Sequence, residues 1–298
     1  VAALIVALLG LGGIAPAGAA PRAAPALGPL TDVAPDASLN CVTGSVESDW
    51  LAFFSWDLAT PKARSCATLV FVEGVGLFGP REFGDGSGIV GFGTTLLSFV
   101  PISQRIVPAD QTPDATLRVI TRVRLPGSGL VLKQRDTYGG GPTMHTSVQL
   151  SNTSASDRSV VIYRTGDCFP GFDLGYGIAG RGSAGCEQAT QRGVNAQPTP
   201  GPIYMRWDAT MGAVHYMAGS VTAVRNAIGT GSRLFDECDC RTPQDVAAAL
   251  SWSEAIRAGG AVTVAHDLTM SLRAGRRTSN VATSVRSFDG EKFLLARV

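Results

Sequence analysis

Charge is scarce in this sequence, and lysine is almost absent. The 298 residues include 24 acidic and 25 basic residues, so the formal net charge is +1. Lys62, Lys133 and Lys292 are the lysines, and arginine supplies the other basic residues, which is typical of a GC-rich bacterial genome. A chain with so small a net charge lacks the overall field that attracts polyanions. The composition therefore argues against nucleic acid and anionic lipid as partners.

Several motifs that indicate a particular reaction are also missing. The sequence has no G-x-S-x-G, the turn that exposes the nucleophile of many serine hydrolases. It has no C-x-x-C pair and no D-x-D-x-D-G calcium loop. The Gly-rich stretch GPREFGDGSG is not followed by Lys-Ser or Lys-Thr, so it does not predict a phosphate-binding loop. These absences argue against serine hydrolase, thiol redox and nucleotide chemistry.

The N-terminal stretch VAALIVALLGLGGIA is apolar and uncharged. It is too short and too rich in glycine to span about 30 Å of hydrocarbon. Ala17-Gly18-Ala19 supplies the small-x-small pattern of a signal cleavage site. We therefore predict a signal peptide over residues 1–19, an Ala- and Pro-rich linker over 20–38, and secretion to the extracellular space without membrane contact after cleavage. A retained N-terminal anchor is the alternative.

Polar and apolar residues alternate through much of the chain after Leu39. In LRVITRVRL, residues 117–125, apolar residues occupy one face and three arginines the other, with Ile120 the exception. PGSG (126–129) then turns the chain into LVLKQRDTY, which predicts a β-hairpin. TSVQLSN, SVVIYRT and VTVAHDLTMSL alternate in the same way. These short strands predict an all-β fold, a large antiparallel two-sheet sandwich over residues 39–272.

Two short segments have helix signals. SVTAVRNAIG, residues 220–229, begins with a Ser cap, has two Val and one Ile on one side, and ends on Gly. TPQDVAAAL, residues 242–250, has a Thr cap and Pro at the first helical position. We predict one or two short helices over one end of the sheets. Residues 273–298 are predicted to form a C-terminal tail or an extra strand.

An even number of cysteines in an exported protein predicts a disulfide framework. The six are Cys41, Cys66, Cys168, Cys186, Cys238 and Cys240. The last two are one residue apart, and the narrow geometry of a disulfide argues against a bond between them. We therefore predict that this pair bonds to Cys168 and Cys186, and that the first two bond to each other, which contributes about 3 kcal/mol. A bond between Cys168 and Cys186 is the alternative.

A zinc site made of the last four cysteines is the rival interpretation. Their spacing, one C-x₁₇-C followed much later by C-x-C, lacks the C-x₂₋₄-C knuckles that arrange thiolates around zinc. We therefore predict disulfides, no metal site and no cofactor.

The order of several short motifs resembles a known group of proteins. These motifs are LNC, SCATLVFVEG, LFGP, SFVPISQ, GSGLVLKQRDTY, SVQLSNTS, VVIYRTGDCF, CDC and ALSWSEAIRAGGAVTV. From about Leu39 to Leu272 the chain resembles secreted bacterial β-sandwich proteins, supersandwich-like and sometimes attached to immunoglobulin-like repeats. The resemblance implies a two-sheet sandwich stapled by disulfides and brings no activity or catalytic residues. The helix-prone PQDVAAAL and the tail after Arg273 depart from the pattern of the group.

Acidic and aromatic residues lie between and around two of the cysteines in GDCFPGFDLGYGIAGRGSAGCEQ. We predict that this segment is a cysteine-anchored loop that binds a ligand. The predicted ligand-binding residues are Asp167, Phe169, Phe172, Asp173, Tyr176 and Glu187. Aromatic rings stack on sugars, and carboxylates accept hydrogen bonds from hydroxyl groups. The expected partner is therefore a glycan or another cell-envelope component.

The alternative function is a carbohydrate-active enzyme on a mutarotase-like sandwich. Asp236, Glu237 and Asp239 would gather with the acids of the predicted loop, and paired carboxylates hydrolyse glycosidic bonds. Acidic turn residues are more often simply solvated, and a calcium site is a further reading. Among possible bases, His266 lies on an apolar face and is predicted to be buried. We therefore predict a non-enzymatic binding or structural module.

Overall fold

The computed structural model describes residues 30–35, 39–45, 66–80, 93–107, 117–139, 143–168, 174–188, 204–270, 282–288 and 291–297. These residues form nineteen β-strands and one α-helix. The strands are β1 (Leu30–Pro35), β2 (Asn40–Ser45), β3 (Cys66–Val72), β4 (Gly76–Gly79), β5 (Leu96–Ser98), β6 (Val100–Val107), β7 (Leu117–Leu125), β8 (Leu130–Tyr138), β9 (Thr143–Asn152), β10 (Arg158–Cys168), β11 (Gly175–Gly180), β12 (Ser183–Gln188), β13 (Tyr204–Met211), β14 (His215–Ser220), β15 (Glu237–Cys238), β16 (Val246–Ile256), β17 (Ala261–Met270), β18 (Ala282–Phe288) and β19 (Glu291–Arg297). The helix, α1, spans Val221–Gly229.

Two large sheets contain most of these strands. The nine-stranded sheet has the order β1-β2-β3-β10-β16-β14-β15, with β4 paired to β3 and β5 paired to β4. The eight-stranded sheet has the order β11-β12-β13-β17-β9-β8-β7-β6. Neighbouring strands are antiparallel, apart from the parallel pairs β4 with β5 and β14 with β15. The predicted all-β, two-sheet antiparallel sandwich is confirmed.

The main hydrophobic core lies between the two sheets. Ile162 and Trp252 of the nine-stranded sheet pack in one cluster with Leu132, Trp207 and Leu268 of the eight-stranded sheet. Each apolar side chain of this size contributes about 1.5–3 kcal/mol when it is fully buried. Trp252 is almost completely buried in this core.

A second core covers the opposite face of the nine-stranded sheet. Val224 and Ile228 of α1 pack there against Leu69, Tyr163 and Ala249. The nine-stranded sheet is therefore buried on both faces in this region. In the eight-stranded sheet, by contrast, β8 and β9 alternate between buried and accessible residues along their whole length. That alternation leaves one face of the eight-stranded sheet open to solvent.

Helix α1 forms where the sequence predicts it. The Ser220 hydroxyl accepts a hydrogen bond of 3.2 Å from the Ala223 amide, which satisfies a backbone donor of the first turn. Val224 and Ile228 are buried on the predicted side. The helix ends at Gly229, as predicted.

The second predicted helix, over residues 242–250, is wrong. Val246–Ile256 forms β16, a central strand paired with β10 on one side and β14 on the other. Ala247, Ala248 and Ala249 are all buried because the main core and the α1 core cover opposite faces of this strand. Alanine favours a helix in isolation, but burial on both faces and two hydrogen-bonded neighbours override that preference.

The sheets extend beyond the predicted sandwich at its N-terminal boundary. β1, Leu30–Pro35, pairs with β2 and lies within residues 20–38, which the sequence predicts as a linker. The last residues, 273–298, contain β18 and β19, which pair with each other as a separate two-stranded sheet. The predicted signal peptide, residues 1–19, lies outside the described residues. No helix in the described part of the chain has the length and hydropathy needed to cross a bilayer.

The predicted bonds from Cys238 and Cys240 to Cys168 and Cys186 are wrong. Cys238 is bonded to Cys240, and their Cα atoms are 5.2 Å apart. Residues two apart in an extended strand would be separated by about 6.6–6.8 Å, so the chain folds at Asp239 and brings the two side chains together. Cys186 is a free, buried cysteine.

The backbone register is consistent with the predicted bond between Cys41 and Cys66. Cys66 is disulfide-bonded, and Cys41 lies directly opposite it in the β2–β3 pair. Cys168 ends β10 opposite Val246, but its side chain lies outside the described part of the structure.

Backbone contacts attach the turn at residues 238–240 to β11 and β14. The Asp239 amide donates to the Ala218 carbonyl at 2.9 Å. Gly175 and Gln244 exchange two backbone hydrogen bonds of 2.8 and 2.9 Å. A Cβ on Gly177 would lie 3.0 Å from the Asp239 carbonyl oxygen, so a larger residue would require the turn to shift by a few tenths of an ångström. The turn lies against the 168–186 segment, as predicted, but hydrogen bonds and packing make the connection instead of the predicted disulfides.

Candidate functional site

The open side of the eight-stranded sheet carries a continuous set of polar side chains. On β9 and β17 these residues alternate with buried ones such as Met144, Thr146 and Leu268. We call this set the polar face. Its residues are Thr137, Thr143, His145, Ser147, Gln149, Tyr176, Ser183, Glu187, Arg206, Asp208, Asp267 and Thr269. A flat polar surface of this kind can bind a ligand rich in hydroxyl groups.

A His–Asp pair lies at the centre of the polar face. His145 on β9 and Asp267 on β17 are directly opposite each other. Nδ1 of His145 is 2.7 Å from Oδ1 of Asp267, and the two side chains are 46% and 33% exposed. When the imidazole is neutral and Nδ1 carries the proton, Nε2 is left as an acceptor. The pair can therefore accept a hydrogen bond from a ligand hydroxyl group.

A second carboxylate lies beside this pair. Asp208 on β13 is directly opposite Asp267. Nε of Arg206 is 2.9 Å from the Asp208 carboxylate, and the Asp208 side chain is 31% exposed. Cβ atoms of directly opposite residues in antiparallel strands are about 4.5–5.5 Å apart. The polar face therefore presents two neighbouring carboxylates, each held by its own nitrogen donor.

Hydroxyl groups surround the two carboxylates. Thr143 Oγ1 and Thr269 Oγ1 are 3.1 Å apart on neighbouring strands. Ser183 lies opposite Asp208 on β12, and Thr137 lies opposite His145 on β8. Hydrogen-bonding side chains thus form a row across five strands.

The structure divides the predicted ligand-binding residues between different places. Tyr176 on β11 and Glu187 on β12 are directly opposite each other at the edge of the polar face. Asp167 lies on β10 in the other sheet, opposite Ala247, and its side chain is not described. Phe169, Phe172 and Asp173 lie outside the described residues. The predicted loop is largely replaced by the end of β10 and the β11–β12 hairpin.

A second His–Asp pair lies away from the polar face, next to the turn at residues 238–240. His215 Nδ1 is 2.8 Å from Asp236 Oδ2, and the Tyr216 amide donates to Asp236 Oδ1 at 3.0 Å. His215 Nε2 is 3.3 Å from Arg233 Nη1. Both ring nitrogens therefore have partners within the protein, which leaves this histidine less able to bind a ligand. Both histidines of the two pairs, His145 and His215, lie in strands.

The acids of the 236–239 segment also have structural roles. Asp239 accepts hydrogen bonds from the Thr242 amide and the Gln244 side chain at 3.3 and 3.0 Å. The hydrogen bonds from Thr242 contribute most to lowering the pKa of Asp239 below its ordinary value. No group of three or more potential metal ligands occurs among the residues that the structure describes.

Charged and polar side chains are also buried between the two sheets. Thr68 Oγ1 donates to Gln134 Oε1 at 2.7 Å and joins β3 to β8. The Asp136 carboxylate accepts from Gln134 Nε2 at 2.9 Å and from Thr146 Oγ1 at 2.8 Å. Arg164 Nη1 donates to Thr68 Oγ1 at 3.2 Å. This network crosses the core and connects one sheet to the other.

Burial shifts the pKa values of the ionisable groups in this network. It raises the pKa of Asp136, against the attraction of Arg164. It lowers the pKa of Arg164 to about 10, against the attraction of Asp136. Burial also lowers the pKa of His266 well below its ordinary value, and the charges of Arg164 and His145 lower it further. The prediction that His266 is buried is confirmed, with 1% of the residue exposed.

The fold defines the class of this protein as an all-β two-sheet sandwich. No family model matches the chain, and no curated protein matches it. Solved structures match it at low similarity. A protein from the human microbiome, assigned as a kojibiose phosphorylase, has a TM-score of 0.37 and 9% identity over 80% of this chain.

Two other solved structures match to a similar degree. The α-galactosidase AgaA of Geobacillus stearothermophilus, in complex with 1-deoxygalactonojirimycin, has a TM-score of 0.40 and 8% identity over 82% of this chain. Heparinase III has a TM-score of 0.32 and 10% identity over 65% of this chain. The chain spans 25%, 40% and 27% of the lengths of the three matched proteins. Similarity at this level carries no conclusion about what the chain binds.

Sequence reasoning does not find the central His–Asp pair. The partners are 122 residues apart in the chain. The alternation around each residue indicates that His145 and Asp267 face away from the core. The register that places them opposite each other depends on how β9 and β17 meet, and no local signal encodes it.

Proposed function

We propose that this protein is a secreted, non-enzymatic β-sandwich that binds carbohydrate through the polar face. The observation that supports it is the central arrangement of His145, Asp267, Asp208 and Arg206 on an open sheet surface. Neighbouring carboxylates and hydroxyl groups suit the closely spaced hydroxyls of a sugar, since charge-assisted hydrogen bonds are strong and directional. The proposal includes membership of the secreted β-sandwich group that the sequence resembles.

The polar face differs from the predicted binding site in its location and chemistry. Tyr176 and Glu187 belong to it, so the site moves from the predicted loop to the adjoining sheet. Tyr176 and, by its backbone register opposite Glu187, Tyr204 are the aromatic residues at the edge of this face, and the rest of its side chains are polar. Binding through this surface therefore relies mainly on hydrogen bonds.

A glycan array followed by calorimetry tests the proposal. We expect the variant His145→Ala/Asp267→Asn to lose at least about tenfold in affinity for any glycan that the wild type binds, because it removes two hydrogen-bonding groups. The matched control is His215→Ala/Asp236→Asn, which removes the second His–Asp pair. Equal losses in the two variants, or the absence of any glycan ligand, would overturn the proposal.

One observation favours a second candidate function, a carbohydrate-active enzyme. Asp208 and Asp267 are opposite each other, and carboxyl groups of retaining glycosidases are about 5–5.5 Å apart. Turnover of a polysaccharide by the wild type, abolished in both Asp208→Asn and Asp267→Asn, would establish this function. Binding without turnover supports the non-enzymatic module.

A further inference from the structure

Six basic side chains lie together on the open side of the eight-stranded sheet. They belong to β6, β7 and β8, next to the polar face. We call them the basic strip: Arg105, Arg118, Arg122, Arg124, Lys133 and Arg135. The single acidic residue of these three strands is Asp136, which is buried on the opposite side of the sheet. The basic strip therefore carries no compensating acid of its own.

The arrangement of the strip places like charges side by side. Arg122 is directly opposite Lys133 on the neighbouring strand. Arg122 and Arg124 lie on the same side of β7, about 6.6–6.8 Å apart along the strand. Like charges that are directly opposite in a sheet are destabilising. No ion pair joins a residue of the strip to an acid in the described part of the protein.

A bound polyanion would relieve this repulsion. We propose that the basic strip binds an acidic polysaccharide, a glycan chain that carries carboxylate or sulfate groups. This inference rests on the proposed carbohydrate-binding function and specifies the chemical class of the ligand. Arginine is well suited to it, because its planar guanidinium group pairs with carboxylate and with other oxyanions through two parallel hydrogen bonds.

The chemistry next to the strip favours a glycan over other polyanions. Gln149 lies opposite Lys133, and Ser147 lies opposite Arg135, so hydrogen-bonding groups adjoin the charges. Proteins that bind single-stranded nucleic acid commonly combine a basic groove with aromatic side chains on which bases stack. β6 and β7 contain no aromatic residue, and Tyr138 of β8 is buried in the core.

The charge of the whole sheet surface is segregated. The basic strip occupies the β6–β8 side, whereas Glu187, Asp208 and Asp267 occupy strands on the other side of β9. These acids repel anionic groups, so the charged groups of the glycan face β6–β8 and its hydroxyl groups face the centre of the polar face. The net charge of +1 does not reveal this separation, because it adds up the charges without regard to their positions. The sequence-based argument against polyanions considers the net charge alone and does not describe this surface.

Binding to immobilised acidic and neutral polysaccharides tests the inference. The probes are polygalacturonate, a sulfated dextran and unmodified dextran. We expect Arg122→Glu/Lys133→Glu to lose at least about tenfold in affinity for the two acidic probes at low salt. We also expect the affinity of the wild type to fall steeply between about 50 and 200 mM salt, as charge neutralisation requires.

The matched control is Arg181→Glu/Arg241→Glu. Both residues are exposed and lie outside the strip, and the variant has the same net charge as the test variant. We expect its affinity to stay within about twofold of the wild type. Circular dichroism and thermal unfolding show whether both variants keep the fold. If the test variant is unfolded, single Arg124→Gln and Arg135→Gln variants replace it and are expected to lose affinity individually.

Three results would overturn the inference. One is equal loss in the test and control variants, and another is binding that does not depend on salt. The third is equally tight binding of single-stranded DNA or phosphatidylserine vesicles with the same dependence on the strip. If dextran binds as tightly as the acidic probes and its affinity depends on His145 and Asp267, the result supports carbohydrate binding by the polar face. Only the inference that the ligand is an acidic polysaccharide is then wrong.

Discussion

Single buried ionisable residues make the stability of this protein depend on pH. His266 is enclosed between the sheets beside Trp252, and their ring centroids are 6.3 Å apart. Its lowered pKa keeps the imidazole neutral in the folded protein. The unfolded chain takes up a proton at this residue near the ordinary pKa of about 6.5, before the folded protein does.

We therefore predict that His266 contributes a fall in the free energy of unfolding as the pH is lowered from about 7 to 5. Unfolded chains bind more protons at His266 than folded ones in this window, so acid favours unfolding. Denaturant unfolding at several pH values measures the slope. The variant His266→Gln should lose this contribution.

Asp136 acts in the opposite direction to His266. Its raised pKa means that the folded protein takes up this proton first, which adds stability as the pH falls through that value. Comparison of wild type with His266→Gln separates the two effects. An unchanged slope in His266→Gln would contradict the assignment.

At the scale of elements, the turn at residues 238–240 is held by two kinds of interaction: a short-range disulfide and packing against neighbouring strands. The Cys238–Cys240 bond closes a loop of about three residues, which the chain-entropy model values at about 1.6 kcal/mol. Backbone pairing with β11 and β14 fixes the position of the turn. The disulfide therefore stiffens the turn without cross-linking distant segments.

We predict that Cys238→Ser/Cys240→Ser lowers the free energy of unfolding by about 1–2 kcal/mol and leaves the fold intact. Peptide mapping without reduction should find the two cysteines bonded within one peptide. Cys186 should react with an alkylating reagent only after unfolding, because it is buried and free. A peptide in which Cys186 is linked to Cys238 or Cys240 would contradict this structure.

At the scale of the whole molecule, the buried polar network joins the two sheets. Arg164 belongs to the nine-stranded sheet and Asp136 to the eight-stranded sheet, and each is almost completely buried. Removing one member of a buried charged pair leaves the other without compensation, which costs about 3–5 kcal/mol.

We predict that Arg164→Met and Asp136→Leu each lower the free energy of unfolding by about 3–5 kcal/mol. The double variant should lose less free energy of unfolding than the two single variants lose in sum, because it buries neither charge. Denaturant unfolding of the four proteins measures this difference. The control Arg158→Met, on the same strand but at a half-buried position, should cost less than about 1 kcal/mol. Strict additivity would show that the two residues do not interact.

The sequence by itself determined several strands, such as β7, β8, β9 and β17, the faces that β7 and β17 present, and the helix α1. These follow from alternation and capping, which act between residues close together in the chain. Val264, His266 and Leu268 therefore face the core as predicted. The alanine run of β16 was misread because its conformation depends on packing against both faces, which local propensity does not contain.

Only the tertiary structure decided which residues meet across the sheets. The pairing of His145 with Asp267, the adjacency of Asp208 and the basic strip all depend on strand order and register. The fold at Asp239, which brings Cys238 to Cys240, belongs to a turn that packs on β11 and β14. Composition and spacing carry no such information, because the free energy that selects these contacts comes from burying two sheets against each other.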